Sequence, residues 1–397
     1  MMKKAGKYLL YGLSLLFFIY LLFDFYRRGV VTCETMKNAK ENFTIKTPPT
    51  PSTPPPIIET LPEESTGSIM RRQSASMDEM AIIELKDVVI KSSFNSAYDG
   101  KQVSVDNIQK NLNDGFRLLD FEIYADKNKN PVIGYNPDKS SYLFNKKNVL
   151  LLKDVFSAIT KYGFNAPSPN PFQPLFVNFR IYVTDTSEYV IYKKIASYIE
   201  TFFTPYMLLD GNNVAIPITK TTTLGQLKQK LVVMIDTSIL PAPYSKDEKL
   251  QSYEELLDKC GRDYAQATDC DSYYQIAPDY CQVNRWTNIQ GGKEEMRIYT
   301  IQDLLRISIQ PVLVNDDKST NTVDLKFAYP NEIYNENENY LYGNILYELV
   351  RNHGVQFPLF STYNNTRALK NMMDYFTDKQ GGILTMEYVI KYYKADT

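Results

Sequence analysis

Two carboxylates, Asp120 and Glu122, stand two residues apart in the run Gly115-Phe116-Arg117-Leu118-Leu119-Asp120-Phe121-Glu122-Ile123-Tyr124. Side chains alternate along a strand, so Leu118, Asp120, Glu122 and Tyr124 share one face, while Arg117, Leu119, Phe121 and Ile123 share the other. Carboxylates paired in this way can hold a metal cation or accept an arginine fork. Proton transfer has less to draw on. His353 is the sole histidine, and acid-base chemistry near neutral pH usually employs imidazole. Cysteine adds little. Cys260, Cys270 and Cys281 have nine and ten residues between them, a spacing that fits no zinc pattern, and no histidine lies near. One disulfide with a free thiol, or three reduced thiols, both remain as readings, and Cys33 could be palmitoylated or bridge a dimer.

The elements that must position the acids follow from periodicity. From Asp87 onward short apolar runs alternate with helical patterns, the signature of βα units and a parallel sheet. Val88–Lys91 reads as the first strand. Ser104–Asn113, with Val105, Ile108 and Leu112 on one face and Gly115 just past the end, reads as a helix. The acid-bearing strand follows, then Val132–Gly134, a helix over Leu151–Tyr162 and the strand Leu175–Tyr182. A helix from about Glu188 to Thr204 and the strand Leu231–Asp236 come next. Residues 237–297 fit no such unit and read as an insertion within a folded part spanning 81–397.

Ahead of that part lie two segments of different character. Lys3, Lys4 and Lys7 precede an apolar run from Tyr8 to Tyr26, broken only by Asp24 and closed by Arg27 and Arg28. As a helix it would span about 28 Å, close to a bilayer core, so residues 1–28 are expected to be a transmembrane anchor; a cleaved signal peptide is the competing reading, against which no small-x-small site follows the run. Basic residues flank it almost equally and leave its orientation open. Residues 29–80 include Thr47-Pro48-Pro49-Thr50-Pro51 and few large apolar residues, the composition of a disordered linker. Asn42-Phe43-Thr44 would be glycosylated in a lumen, whereas Arg71-Arg72-Gln73-Ser74 resembles a cytosolic kinase site. Net charge is −2, with 44 basic and 46 acidic residues, and no dense basic block exists, so a nucleic-acid partner is not expected. The abundance of Asn, Lys, Ile and Tyr is compatible with an AT-rich genome such as a giant virus, and with placement in a virion or a host membrane.

Three pieces, Lys91-Ser92-Ser93-Phe94-Asn95-Ser96-Ala97-Tyr98, the acid-bearing strand and Pro131-Val132-Ile133-Gly134-Tyr135-Asn136, together resemble the X region of phosphatidylinositol-specific phospholipase C. That family has a TIM-barrel catalytic domain, which is the fold expected here. Weaker Y-region likenesses follow in Thr322–Pro330, in Asn352-His353-Gly354-Val355-Gln356 and in Phe376–Thr385. Aligned on the family motifs, the two catalytic histidines fall on Phe94 and Tyr135. The calcium-binding asparagine falls on Asn95 and two acidic ligands on Asp120 and Glu122, whereas a third acidic ligand falls on Arg180. A phosphate-binding lysine falls on Met234, and a substrate-contacting arginine on Phe327.

The resemblance thus implies a lipase scaffold without its acid and base. Asn95, Asp120 and Glu122 could hold calcium. The competing and favoured expectation is that Arg180 bridges the two acids, leaving no cofactor; some metal-independent relatives do place an arginine there. His353 precedes a strand, hence lies at the face opposite the active site, and is expected to be a surface or capping residue. Two functions from different classes follow: a membrane-tethered pseudoenzyme binding a phosphoinositide headgroup or a protein partner, or an active phosphodiesterase using Asp120, Glu122 and Tyr135. A purely structural envelope component is a third.

Overall fold

The computed structural model describes residues 81–136, 148–182, 190–239, 283–292, 296–307, 311–330, 344–364, 366–377 and 381–395. The anchor, the linker, Cys33, Cys260, Cys270 and Cys281 lie outside them. Among the described residues no helix is long and apolar enough to cross a membrane.

Twelve strands are described, β1 (Val88–Ile90), β2 (Ser92–Phe94), β3 (Leu118–Ala125), β4 (Pro131–Gly134), β5 (Val149–Leu151), β6 (Leu175–Ile181), β7 (Leu231–Asp236), β8 (Ile289–Gly291), β9 (Met296–Thr300), β10 (Leu325–Tyr329), β11 (Phe357–Ser361) and β12 (Ile383–Thr385). The helices among them are α1 (Val105–Asn113), α2 (Leu152–Gly163), α3 (Val190–Phe203), α4 (Ile301–Arg306), α5 (Ile345–His353), α6 (Arg367–Thr377) and α7 (Met386–Ala395). Eight strands pair in the order β8-β7-β6-β3-β2-β11-β10-β9, and every pairing along that path is parallel. The ends of the path meet where the Gly292 N–H donates to the Met296 carbonyl at 3.0 Å. The result is a nearly closed parallel α/β barrel of the TIM type, with β4 and β5 added antiparallel beside β3.

Alternation along the strands builds two cores. Phe94, Leu118, Phe176, Val232, Met234, Ile289, Leu325, Phe327, Phe357 and Leu359 fill the barrel. Leu119, Phe121, Ile123, Val177, Phe179, Val233 and Ile235 face outward onto Ile108 and Leu112 of α1, Val155, Phe156 and Ile159 of α2, and Ile191, Ile195 and Ile199 of α3. Each such aliphatic or aromatic side chain contributes roughly 1.5–3 kcal/mol through burial.

Two expectations differ from the structure. Val88–Ile90 is not a barrel strand; it pairs antiparallel with β12, and the first barrel strand is the more polar Ser92–Phe94. The apolar run is the more strand-like in sequence, yet both runs are buried throughout and only Ser92–Phe94 pairs within the barrel. The barrel also resumes well before residue 297, since β8 pairs with β7. Three residues are too short a strand to show alternation.

Arg117 ties the base of the barrel together. Its side chain is fully buried and donates to the carbonyls of Gly163 at 2.9 Å, Gln173 at 2.8 Å and Pro174 at 3.1 Å. Burial pulls its pKa down to about 9. Gly382 makes room for it, because a Cβ there would stand 2.2 Å from the Arg117 Cγ. His353 ends α5 ahead of Gly354, whose left-handed backbone (φ 59°) closes the helix. It is not a surface residue: it is buried, its carbonyl accepts from Lys326 Nζ at 2.5 Å, and its Nδ1 has no partner among the described residues. Helix closure follows the capping pattern, while tertiary burial near Lys326 takes the ring out of water.

Two outcomes are expected. Arg117→Met should lower unfolding stability by about 3 kcal/mol in urea titrations, because three buried carbonyls lose a charged donor. The second concerns pH. Burial, aided by Lys326, lowers the folded-state pKa of His353 below its ordinary value. The unfolded chain therefore binds the extra proton first, and this residue's contribution to stability, present above about pH 6.5, is lost as pH falls below it. As the sole histidine, its NMR signal should titrate below 6.5 in the native protein, and His353→Gln should flatten the acid limb of stability.

Candidate functional site

The C-terminal ends of β3, β6 and β7 bring their inward-facing polar residues side by side. Asp120 pairs in register with Asn178, Glu122 with Arg180 and Asn178 with Met234. By alternation, Asp236 shares the face of Met234. Helix α1 steadies the neighbouring loop. Asn107 and Asn111 donate to the Ser96 carbonyl at 3.1 and 2.9 Å, and the Ser96 Oγ accepts from the Asp120 N–H at 2.8 Å. Asn95 is held there with a left-handed backbone (φ 46°), and its N–H donates to Asp120 Oδ2 at 3.1 Å. Such a φ is strained for a residue with a side chain, though asparagine tolerates it better than most.

Arg180 occupies the centre. Its Nε donates to Asp120 Oδ1 at 3.1 Å, one Nη to Glu122 Oε1 at 2.9 Å, and the other to Asp120 Oδ2 at 2.7 Å and Asn95 Oδ1 at 2.6 Å. Asn178 Nδ2 adds a bond to Asp120 Oδ1 at 2.8 Å, and the Tyr124 hydroxyl donates to Glu122 Oε2 at 2.7 Å. All three charged side chains are at most 3% exposed. Aromatic rings close the arrangement. The guanidinium carbon lies 4.6 Å from the centre of the Phe94 ring and 5.9 Å from that of Tyr329, and these two rings lie nearly parallel, 6.3 Å apart.

The electrostatics match the geometry. Burial alone would lower the pKa of Arg180, but Asp120 and Glu122 outweigh it and hold the group charged far above any working pH. Burial and the Glu122 charge push the Tyr124 hydroxyl above its ordinary range, so it donates and does not ionise. Burial also raises Asp236, against the bonds from Ser238 and the field of Arg180. Calcium takes six to eight oxygens. The oxygens that would bind it here, Asn95 Oδ1 and the carboxylates of Asp120 and Glu122, already accept from a cationic side chain, and the residues do not fit the ion. Among the described residues no group of three acidic, histidine or cysteine side chains could hold a metal.

Of the residues singled out in sequence, the structure joins Asn95, Asp120, Glu122, Arg180 and Phe94. Tyr135 belongs to a different aromatic group, stacked on Tyr98 at 4.2 Å and 6.4 Å from Tyr363. Sequence reasoning missed Asp236 and the hydroxyl bond of Tyr124. The signal for both was alternation: Tyr124 is two residues past Glu122, and Asp236 two past Met234.

The bridge is testable through stability. Removing one partner of a buried ion pair typically costs about 3–5 kcal/mol, whereas removing all the charges together can be nearly neutral. Arg180→Met should therefore destabilise the barrel by that amount in urea titrations, and the triple change Arg180→Met, Asp120→Asn, Glu122→Gln should recover most of the loss.

The family model for phosphatidylinositol-specific phospholipase C, X domain, matches residues 82–236. The PLC21 crystal structure from L. pealei is similar at a TM-score of 0.49 with 18% identity, over 77% of this chain and 37% of that one. PLC21 from S. officinalis gives 0.49 and 18%, over 78% and 38%. A calcium-dependent phosphoinositol-specific phospholipase C from Pseudomonas sp. gives 0.41 and 8%, over 77% and 97%. The chain thus spans well under half the length of the PLC21 proteins it matches. No curated protein matches it in sequence. Residues 82–236 thus match the X domain of phosphatidylinositol-specific phospholipase C.

Proposed function

We propose that this phospholipase C-like protein is a pseudoenzyme, tethered by residues 8–26 to a membrane and serving as a binding module in place of phosphodiester cleavage. The observation that carries this reading is the position of Arg180. Four guanidinium hydrogen bonds hold the carboxylates and Asn95, and the Phe94 ring lies against the same group. Cleavage of an inositol phosphodiester needs a group to take the hydroxyl proton and another to protonate the leaving oxygen, each worth about 10²–10⁴-fold. Phe94 can do neither. Tyr124 is committed as a donor to Glu122, and His353 closes a helix whose partner Lys326 lies at the start of β10, the opposite end of the barrel from Asp236 and Arg180. The membrane tether rests on the length and apolarity of the N-terminal run.

An assay of the full-length protein with phosphatidylinositol vesicles decides between this and the enzymatic alternative. The expected result is no product above the protein-free control, with or without calcium, and no calcium-dependent rise in melting temperature. Turnover that disappears in Asp120→Asn would establish the enzyme.

A further inference from the structure

Arg180 does not satisfy the whole mouth of the barrel. Asn178 Oδ1 and Asp236 Oδ2 are buried and accept no hydrogen bond from the described residues. Both side chains are more than nine-tenths buried, with 1% and 3% exposure. Both face the barrel interior: Asn178 is two residues past Phe176 on β6, Asp236 two past Met234 on β7, and Phe176 and Met234 belong to the interior core. Since Asn178 registers with Met234, Asp236 is its diagonal neighbour on the adjoining strand. The orientation of each is fixed by its other atoms. Asn178 Nδ2 donates to Asp120 Oδ1 at 2.8 Å, so a flipped amide would set oxygen against carboxylate. Asp236 Oδ1 accepts from the N–H of Ser238 at 2.9 Å and from its hydroxyl at 2.6 Å, which leaves Oδ2 over.

Charge points the same way as the unused lone pairs. Among the described residues, Asp120, Glu122 and Asp236 are three acids around the guanidinium of Arg180, and the interior neighbours Met234 and Phe327 bring no charge. A phosphate would meet acceptors with acceptors and add negative charge. Two oxygens are also far too few for a calcium ion. A primary ammonium has three N–H donors and one positive charge, which suits unfilled acceptors on diagonally neighbouring residues beside further acids.

We infer that the Asp236–Asn178 pair is a subsite for a primary ammonium group, so that the mouth recognises an amine. This rests on the binding-module reading of the same mouth and names the chemistry of what is bound. The amine belongs either to a lipid headgroup or to a soluble molecule.

Calorimetric titration of the full-length protein with propylammonium chloride tests it, with 1-propanol as the neutral isostere and inorganic phosphate as the anion. The expected result is saturable ammonium binding, about tenfold or more tighter than the alcohol, no phosphate binding, and a loss of about tenfold in Asp236→Asn. Equal affinity for the alcohol, preference for phosphate, or unchanged binding in D236N overturns the inference, and the first two comparisons need no variant to fold. Sedimentation with phosphatidylethanolamine but not phosphatidylcholine vesicles, lost in D236N, assigns the amine to lipid; binding of free amine alone assigns it to a soluble ligand. An inactive protein that ignores propylammonium sinks this inference and leaves the pseudoenzyme reading standing, whereas phosphatidylinositol turnover sinks that reading itself.

Discussion

A charged guanidinium buried among carboxylates must be matched almost bond for bond, because neither partner keeps water to fall back on. At the mouth of this barrel that demand fixes the rest. Asp120 accepts from Asn95, Asn178 and Arg180, and Glu122 from Arg180 and Tyr124. Register supplies the pairing, since Glu122 lies directly opposite Arg180 on adjacent parallel strands. A slip of one residue would turn every one of these side chains onto the helices.

Among the described residues two arginines are buried, and the fold treats them differently. Arg117, on the outward face at the base of β3, is satisfied by main-chain carbonyls, and burial lowers its pKa. Arg180, on the inward face near the end of β6, meets carboxylates, and they raise it. The first closes a loop against the barrel. The second sits at the mouth of the barrel, and the flat rings of Phe94 and Tyr329 lie against it. An arginine here makes Asn95 and the two carboxylates hydrogen-bond acceptors for a fixed internal cation.

Much of this was legible in the sequence because a parallel barrel encodes its two faces at period two. Asp120, Glu122 and Arg180 could be placed on inward faces from alternation, and the family motifs gave their mutual proximity. What stayed hidden followed from short or atypical strands. Ser92–Phe94 is polar and brief, so the apolar Val88–Ile90 beside it looked the better strand, and β8 has three residues with no visible pattern. His353 carried a helix-end signature but nothing local to say that the Lys326 strand would bury it. Tyr135 aligned with a catalytic position, yet ring stacking on Tyr98 and Tyr363 is decided by three loops that meet only in the folded chain.

Arg180 should remain locked between Asp120 and Glu122 when calcium and an inositol phosphate are offered. A crystal structure of the protein soaked with calcium and an inositol phosphate measures this directly. The guanidinium should stay within hydrogen-bonding distance of both carboxylates with no ion between them. A calcium ion coordinated by Asn95, Asp120 and Glu122, with Arg180 turned out of the barrel, would contradict it.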